Sequence, residues 1–302
     1  MAALKSAAWH DELARLGHLV EHEPMARHTT LGVGGPARWF FRPASRAAMI
    51  EAMPLIPADL PRLPLGRGSN LLVHDAGFDG IVIDLGGLDH IEVNGCSLTA
   101  EAGARMSRVA RICAESGLSG LEFLSTVPGD MGGGVAMNAG AFGQEIADTF
   151  DHADVLTPDG KVVRLAKAAL TMTYRHTELP AGSLVLAAGF TLHPASPEQI
   201  RERIRGMREK RGRTQPLAQP NFGSVFKNPP GDYSARLVEA AGLKGFGIGG
   251  ARISALHANF IVNEGSATCA DVQALIKKAQ DEVEAKFGIR LQPEVRMIGG
   301  KP

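Results

Sequence analysis

Hydrophobic positions along the chain follow two periods. A spacing of three to four residues predicts amphipathic helices, which we place at residues 106–116, 198–211, 234–241 and 270–287. Short apolar runs bounded by turn residues predict strands, which we place at residues 38–41, 81–85, 153–156, 161–164 and 184–192. Because strands joined by short turns precede the later helices, the pattern predicts an α+β fold with mostly local strand pairing.

The two ends of the chain carry patterns of their own. Residues 1–16 predict a short surface helix with Trp9 and Leu13 on one side. Residues 289–298 predict a strand, in which alternation puts Ile289, Leu291, Val295 and Met297 on one face and Arg290, Gln292, Glu294 and Arg296 on the other. Glu294 is therefore expected on a polar face.

Helix boundaries and a change of composition suggest how the chain divides. Thr268 and Asp271 match a capping box before the last helix, and Gly288 is placed to end it. The composition changes at Pro194–Pro197, where a strongly charged helix begins. The 302 residues are enough for two or three domains.

Two glycine-rich segments hold the strongest chemical signal. Residues 124–145 contain six glycines, and residues 64–73 read PLGRGSNLLV. Glycine lets backbone N–H groups approach an anionic ligand closely and form the turns that hold phosphates. Both segments are expected to be flanked by apolar runs short enough for strands, so together they suggest one extended cofactor, such as a dinucleotide, held at both ends.

The glycines allow three other interpretations. A P-loop needs Lys-Ser or Lys-Thr after its last glycine, which neither segment has. Residues 32–37 fit a degenerate Rossmann turn, but a strand pattern follows them where that turn must open a helix. The third interpretation, that the glycines only form tight turns in a β-rich domain, stays open on composition alone.

Composition limits the partners and the compartment. Lys plus Arg and Asp plus Glu number 32 each, so no overall field favours nucleic acid or an acidic membrane. The three cysteines lie far apart without C-x-x-C spacing, which argues against disulfides and zinc and favours a reducing cytoplasm. No apolar run is long enough to span a membrane, and the start of the chain lacks a signal-peptide pattern. We expect no metal site, since His18 and His22 lack a third ligand.

Seven motifs in order resemble the UDP-N-acetylenolpyruvoylglucosamine reductases, the MurB family, over nearly the whole chain. They are Gly34-Gly-Pro-Ala37, Gly66-x-Gly-Ser-Asn-Leu-Leu-Val73, Pro128-Gly129 through Asn138-Ala-Gly-Ala141, Tyr174-Arg175, Gly223-Ser-Val-Phe-Lys-Asn-Pro229, His257-Ala-Asn-Phe-Ile-Val-Asn263 and Pro293-Glu-Val-Arg296. The length resembles the shorter subtype of that family.

The resemblance implies a noncovalent FAD enzyme of peptidoglycan precursor synthesis. NADPH would be the hydride donor, and an enolpyruvyl ether of UDP-N-acetylglucosamine would be reduced to UDP-N-acetylmuramate. It further implies two FAD-binding subdomains of the vanillyl-alcohol-oxidase-like type, at residues 1–92 and 93–196. A C-terminal α+β substrate-binding domain would follow at residues 197–302 and close over the substrate. We expect a cytoplasmic monomer without nucleic-acid or membrane partners.

The resemblance also assigns residues to roles. The expected catalytic residues are Arg175, Ser224 and Glu294. The expected cofactor-binding residues are Gly66, Gly68, Ser69, Asn70, Leu71, Pro128, Gly129, Gly132, Gly133, Asn138, Ala139 and Gly140. The expected substrate-binding residues are Tyr174, Lys227, Asn228 and His257.

The chemistry explains why these residue types are needed. Hydride addition to an enolpyruvyl group develops negative charge beside its carboxylate, so the site needs positive charge, donors and a proton source. Arg175 offers a planar charged fork, Glu294 could share a proton if burial raises its pKa, and Ser224 would protonate the carbon. Lys227 could make the Ser224 hydroxyl a better donor.

Some positions depart from the family pattern. Gly32 and Gly247 stand where many relatives carry a basic residue, and Ala255-Leu256 precede His257 where a polar pair is common. These changes concern secondary contacts to the cofactor phosphates or the nucleotide-sugar.

Two alternatives to this function remain. One is another flavin oxidoreductase of the same fold acting on a different small molecule, and the other is a nonenzymatic flavin-binding protein.

Overall fold

A computed structural model describes residues 2–300, which contain both helices and strands. The α-helices in this range are α1 (Ala2–Leu16), α2 (Arg46–Ala52), α3 (Met106–Glu115), α4 (Met131–Ala136), α5 (Pro197–Thr214), α6 (Ser234–Ala240) and α7 (Cys269–Phe287). The strands in this range are β1 (Gly17–Pro24), β2 (Pro36–Pro43), β3 (Arg62–Leu65), β4 (Leu71–Val73), β5 (Phe78–Asp84), β6 (Ile91–Asn94), β7 (Ser97–Glu101), β8 (Leu118–Ser119), β9 (Gly140–Ala141), β10 (Gln144–Glu145), β11 (Phe150–Leu156), β12 (Val162–Ala166), β13 (Met172–Thr173), β14 (His176–Thr177), β15 (Leu184–Thr191), β16 (His193–Pro194), β17 (Asn221–Ser224), β18 (Gly247–Ile248), β19 (Ala251–Ile253), β20 (Phe260–Asn263) and β21 (Arg296–Ile298).

The chain divides into two compact units that are not continuous in sequence. Unit 1 consists of residues 1–21, 39–66 and 80–209, and unit 2 consists of residues 22–38, 67–79 and 210–302. Unit 2 thus combines the C-terminal third with two short stretches from the first eighty residues. The division at residues 1–92, 93–196 and 197–302 stays a prediction, and Met1, Lys301 and Pro302 lie outside the described residues.

One sheet of unit 1 has five strands in the order β12-β11-β15-β7-β6, all antiparallel. The turn between β11 and β12 is closed by the Thr157 N–H, which donates to Lys161 O at 2.9 Å. Gly160 sits in this turn at φ 81°, a left-handed conformation that favours glycine. The apolar core beside this sheet includes Phe150, Phe190 and the buried face of α3.

Unit 1 has a second apolar core. Part of it lies on a sheet in the order β1-β2-β5-β3, where β3 and β5 run parallel. Phe41 and Leu13 are fully buried there. Trp9 packs edge-on against Trp39 with ring centroids 5.5 Å apart. The predicted N-terminal helix with Trp9 and Leu13 on one side is confirmed for the described residues of α1.

Unit 2 is built on a four-stranded antiparallel sheet in the order β17-β20-β19-β18, with α6 and α7 contributing to the same core. Thr268 and Asp271 form the predicted capping box of α7, and Gly288 ends the helix at φ 68°. The carboxylate of Asp75 also accepts hydrogen bonds from the first two N–H groups of α7, at 2.8 and 3.0 Å. β4 pairs in parallel with β21.

The helices and strands predicted from periodicity are confirmed with shifts of a few residues at their ends. One prediction about a flanking segment is wrong. Residues 122–126 form a 3₁₀ helix where a short strand was expected to flank the glycine-rich segment, and residues 131–136 within that segment form α4. A helix fits there because glycines let its backbone lie against neighbouring side chains.

The predicted strand at residues 289–298 is also partly wrong. Only residues 296–298 pair as a strand, because the N–H groups of Glu294 and Val295 both donate to Val225 O, at 2.8 and 3.5 Å, and interrupt a regular ladder. Leu291 and Val295 are buried as predicted, but Met297 is 49% exposed. Glu294, which was expected on a polar face, is half-buried.

Candidate active site

The glycine-rich segment of unit 1 leads into α4. Gly129 has φ 123°, which only glycine adopts readily. A Cβ on Gly132 would lie 2.9 Å from the Ala102 Cβ, and a Cβ on Gly134 would lie 2.9 Å from the Met106 sulfur. A Cβ on Gly133 would meet no atom of the described residues within 4 Å. Gly132 and Gly134 therefore hold the helix on the core, while Gly133 turns towards open space that a ligand can fill.

Asn138 holds the end of this segment. Its side chain is fully buried, and its backbone has φ 40°. Its amide Nδ2 donates to Thr173 O at 3.1 Å, and its Oδ1 accepts from the Ala147 N–H at 3.0 Å. Nearby, the Thr177 hydroxyl donates to Val135 O at 2.5 Å. These bonds fix the β13–β14 hairpin against the glycine-rich segment, so Asn138 positions backbone in addition to any ligand contact.

Arg175 lies at the turn of the β13–β14 hairpin with φ 56°. A left-handed conformation costs a non-glycine residue on the order of 1–3 kcal/mol, and such residues cluster at functional sites. Its Nη2 donates to Gly140 O at 2.7 Å, and its guanidinium carbon lies 4.8 Å from the centre of the Tyr174 ring. The Tyr174 side chain itself is largely exposed. The charged fork is thereby held beside the glycine-rich segment.

Gly66 belongs to unit 1. A Cβ on Gly66 would lie 2.9 Å from a carboxylate oxygen of the buried residue Asp130. Gly68, in unit 2, has φ 60°, and a Cβ there would lie 2.2 Å from His28 O, so this loop also requires glycine. Asn70 Nδ2 donates to Glu294 O at 3.2 Å, and Asn70 O accepts from the Arg296 N–H at 3.0 Å. Residues 67–70 of the GRGSN loop, which belong to unit 2, are thus bonded to the segment that carries Glu294.

Ser224 and Glu294 lie on neighbouring stretches of backbone in unit 2. Ser224 ends β17 opposite Phe260, after an irregularity of register in which Gly223 has φ 83°. The next residue, Val225, accepts the Glu294 N–H at 2.8 Å. Both Ser224 and Glu294 are half-buried. Within unit 2 the structure therefore brings together Ser224, Glu294 and residues 67–70, three features that are distant in sequence.

One positioning residue was missed by the sequence reasoning. The buried side chain of Asn259 donates to Phe226 O and accepts from the Phe226 N–H, both at 2.9 Å, while Asn259 O accepts from the Val225 N–H. Asn259 thereby fixes the backbone that follows Ser224. Its place in the His257-Ala-Asn motif was the available signal, but a sequence does not show which strand an amide will face.

The expected substrate-binding residues of unit 2 lie around the same strand. Lys227 is half-buried, and its N–H donates to Gln292 O at 2.9 Å. Asn228 Oδ1 accepts from the Ser234 N–H at 3.1 Å, at the start of α6. The Nδ1 of His257 accepts from the Asn259 N–H at 3.3 Å, and burial lowers the pKa of His257 below its ordinary value. His257 is therefore neutral near pH 7, with its proton on Nε2.

Two departures from the family pattern have a structural context in unit 2. Gly32 has φ 72°, a conformation in which an arginine would be strained. A Cβ on Gly247 would lie 3.2 Å from Nη1 of Arg252, whose guanidinium also donates to Gly245 O at 2.8 Å. The guanidinium of Arg252 therefore stands beside the position where a basic side chain was expected.

Within each unit, the predicted residues form a consistent group. Unit 1 brings Arg175 to the segment that contains Gly133 and Asn138, and unit 2 brings Ser224 to Glu294. The glycine loops offer backbone to an anionic ligand, and the side chains offer a fixed positive charge, a hydroxyl donor and a carboxyl group. No described helix combines the length and the apolar character needed to span a bilayer.

Comparisons with known proteins give a consistent result. The family described as UDP-N-acetylenolpyruvoylglucosamine reductase, C-terminal domain, matches residues 215–298, and the FAD binding domain family matches residues 37–166. The chain is 43% identical over 284 residues to a UDP-N-acetylenolpyruvoylglucosamine reductase of Alkalilimnicola ehrlichii, covering 94% of this chain and 95% of that protein. It is 43% identical over 285 residues to the protein of that name in Methylococcus capsulatus, covering 94% of each.

A solved structure extends the likeness to the fold. The crystal structure of UDP-N-acetylenolpyruvylglucosamine reductase (MurB) from Thermus caldophilus matches with a TM-score of 0.82 at 34% identity, covering 94% of this chain and 99% of that chain. The predicted α+β architecture, a two-subdomain FAD-binding fold of the vanillyl-alcohol-oxidase-like type with a further C-terminal domain, is confirmed.

Proposed function

We propose, because the chain belongs to the UDP-N-acetylenolpyruvoylglucosamine reductase (MurB) family, that it reduces the enolpyruvyl ether of UDP-N-acetylglucosamine to UDP-N-acetylmuramate with NADPH. The product is a precursor of peptidoglycan, which places the enzyme in cell wall biogenesis. The observation that carries the proposal is the hydrogen bond from the Glu294 N–H to Val225 O, which sets Glu294 beside Ser224.

FAD fits the glycine-rich segments of this chain. The residues proposed to hold it are Gly66, Gly68, Ser69, Asn70, Leu71, Pro128, Gly129, Gly132, Gly133, Asn138, Ala139 and Gly140. The open space beside Gly133 supports this proposal, because a bulky anionic group can approach the backbone there. Bound FAD supplies hydride transfer from NADPH to the substrate.

The proposed catalytic residues act on charge and protons of the substrate. Reduction of an enolpyruvyl group makes the carbon beside the carboxylate negative before it is protonated. Arg175 would stabilise the carboxylate through its charged planar fork. Ser224 would donate the proton to that carbon, and Glu294 would share a proton with the enolate oxygens. Hydrogen bonds to backbone hold the segments that carry these side chains.

The proposed substrate-binding residues supply further polar groups and an exposed ring. Tyr174, Lys227, Asn228 and His257 are the candidates. Lys227 would place a positive charge near Ser224, and neutral His257 would offer its Nε2–H as a donor to a substrate oxygen. Because burial lowers the pKa of His257, it would not add a second charge there at neutral pH.

We further propose that the protein acts as a monomer in the cytoplasm. Its three cysteines form no disulfide among the described residues, and burial raises the pKa of the Cys113 thiol to about 12. Such thiols suit a reducing compartment. Light scattering coupled to gel filtration should give the mass of one chain, 31.9 kDa, and a mass of twice that value would refute the monomer.

One experiment separates this function from its alternatives. The purified protein should show a flavin absorbance spectrum that bleaches on anaerobic addition of NADPH and recovers when the enolpyruvyl nucleotide-sugar is added. A flavin that bleaches but does not recover with that substrate would indicate another oxidoreductase of this fold. A flavin that NADPH never bleaches would favour a nonenzymatic binding protein.

A further inference from the structure

Arg211, in the last turn of α5, has surroundings unlike those of three other arginines on that helix. Arg201, Arg203 and Arg205 each form an ion pair with a glutamate. The Nε of Arg211 is buried and meets no hydrogen-bond acceptor among residues 2–300. Burial lowers the pKa of Arg211 to about 10, with no carboxylate among those residues opposing the shift. A buried charge without a counter-charge is costly, so its presence calls for a partner.

Gln215 repeats this feature one turn later. Its Oε1 is buried and accepts no hydrogen bond from the described residues. The Gln215 N–H donates to Arg211 O at 2.9 Å, so the helical turn continues and places the two side chains on the same side. A buried donor and a buried acceptor thus stand next to each other without protein partners in the described chain.

The loop after Gln215 connects this pair to the strand that carries Ser224. Asn221 Nδ2 donates to Pro216 O at 3.2 Å and to Gln219 O at 2.8 Å, and Asn221 Oδ1 accepts from the Gly223 N–H at 2.9 Å. All of these residues belong to unit 2. Arg211 and Gln215 are therefore tied by a hydrogen-bonded loop to the group proposed to protonate the substrate.

We infer that Arg211 is a substrate-binding residue that holds an anionic oxygen of the nucleotide-sugar, while Gln215 accepts a hydrogen bond from a neighbouring hydroxyl of the same molecule. This inference rests on the proposed function. The substrate carries two anionic groups, a diphosphate and a carboxylate, and a guanidinium binds both with the same fork of donors. Sugar hydroxyls next to a phosphate supply a donor for the Gln215 Oε1.

Binding to the FAD-loaded protein tests the inference and separates the two anionic groups. Isothermal titration should be run with the enolpyruvyl substrate and with UDP-N-acetylglucosamine, which has the diphosphate but no carboxylate. Arg211→Gln should weaken substrate binding by roughly 10- to 100-fold, as expected for a lost hydrogen bond to a charged group. An equal loss for both ligands assigns the diphosphate, and a loss confined to the enolpyruvyl substrate assigns the carboxylate. The exposed Arg208, changed to Gln, is the matched control.

Thermal unfolding separates binding from a structural role. Without ligand, Arg211→Gln should melt at the parent temperature or above, because it removes a buried charge that no carboxylate among residues 2–300 offsets. Inorganic pyrophosphate should raise the melting temperature of the parent and of Arg208→Gln but not of Arg211→Gln. If the parent binds neither UDP compound while this protection still depends on Arg211, the proposed function fails and the anion site stands. Unchanged affinities with unchanged pyrophosphate protection overturn the inference, as does a lowered melting temperature with unchanged affinities.

Discussion

Consecutive glycines can have opposite roles, as Gly133 and Gly134 show. A side chain on Gly134 would press on the Met106 sulfur and on Ile146 Cδ1, at 2.9 and 3.0 Å, whereas one on Gly133 would enter open space. The sequence shows only a run of glycines, so it predicts a close approach to some neighbour without separating core from ligand. That distinction depends on which side of α4 meets the core.

Replacing each of these glycines with valine should therefore separate effects on FAD binding from effects on folding. Gly133→Val should lower FAD occupancy with little change in the unfolding temperature of the apoprotein, because its side chain meets only the proposed ligand space. Gly134→Val should instead lower that temperature, because it overpacks the core at a cost of roughly 1–3 kcal/mol. The ratio of flavin to protein absorbance and apoprotein melting curves measure the two effects. Full occupancy in Gly133→Val would contradict the proposed cofactor loop.

Ser224→Ala tests the proton donor. Flavin reduction by NADPH should stay close to the parent rate, while reoxidation by the enolpyruvyl substrate should slow by about 10²-fold or more, as expected for a lost acid catalyst. Stopped-flow absorbance follows the two half-reactions separately. Equal slowing of both would show that Ser224 is needed for the local structure that Gly223 and Asn259 support.

Arg175 and Glu294 are proposed to act on charge that grows during the reaction. Arg175→Ala and Glu294→Gln should therefore lower single-turnover reoxidation at saturating substrate more than they weaken substrate binding. Arg175→Lys keeps the charge but loses the fork, so it should recover only part of the activity lost in Arg175→Ala. Reoxidation at the parent rate in both Arg175→Ala and Glu294→Gln would remove them from the mechanism.

At the scale of elements, α7 illustrates how much of a helix start is local. The capping box of Thr268 and Asp271 is readable from the sequence and is present in the structure. The carboxylate of Asp75 is a second cap, and it comes from a residue 194 positions away. Nothing in the neighbourhood of Asp75 in the sequence indicates this role. The same limit applies to the segment at residues 289–295, whose contact with Val225 could not be foreseen from alternation.

Removing the distant cap should weaken unit 2. Asp75→Ala takes acceptors away from two N–H groups at the positive end of the helix and should lower the free energy of unfolding by about 1 kcal/mol. Asp79→Ala is the control, because Asp79 is exposed and pairs with the exposed Arg38. Urea denaturation followed by circular dichroism compares the variants. A loss no larger than that of the control would mean that the capping box alone stabilises the start of α7.

At the scale of the whole chain, charge balance hides buried ion pairs. The equal totals of acidic and basic residues predict no overall field, yet they do not reveal which pairs are desolvated. Burial alone would raise the pKa of Glu122, but hydrogen bonds from the Gly120 N–H and from Arg203 outweigh it, and the net effect is a lowered pKa. Asp154 behaves in the same way beside Arg164 and Arg46. Both pairs lie in unit 1.

These pairs predict how acid unfolds the protein. A carboxyl group whose pKa is lower in the folded state stabilises it above the pKa of the unfolded state, 4.5 for glutamate, and that stability is lost as the pH falls further. Glu122→Gln should therefore cost about 1–3 kcal/mol at pH 7, as expected for breaking a largely buried charged hydrogen bond. The difference from the parent should shrink as the pH falls from 4.5 towards the lowered pKa of folded Glu122, where the parent also loses its carboxylate.

The matched control is Glu115→Gln, which removes an exposed carboxylate paired with Arg111 on α3. Exposed pairs of this kind contribute roughly 0.3–0.5 kcal/mol, so this variant should follow the parent closely at every pH. Urea denaturation at intervals between pH 3 and pH 7 gives the two stability profiles. A constant gap between Glu122→Gln and the parent down to pH 3 would show that the carboxylate charge is not what Arg203 and Gly120 stabilise.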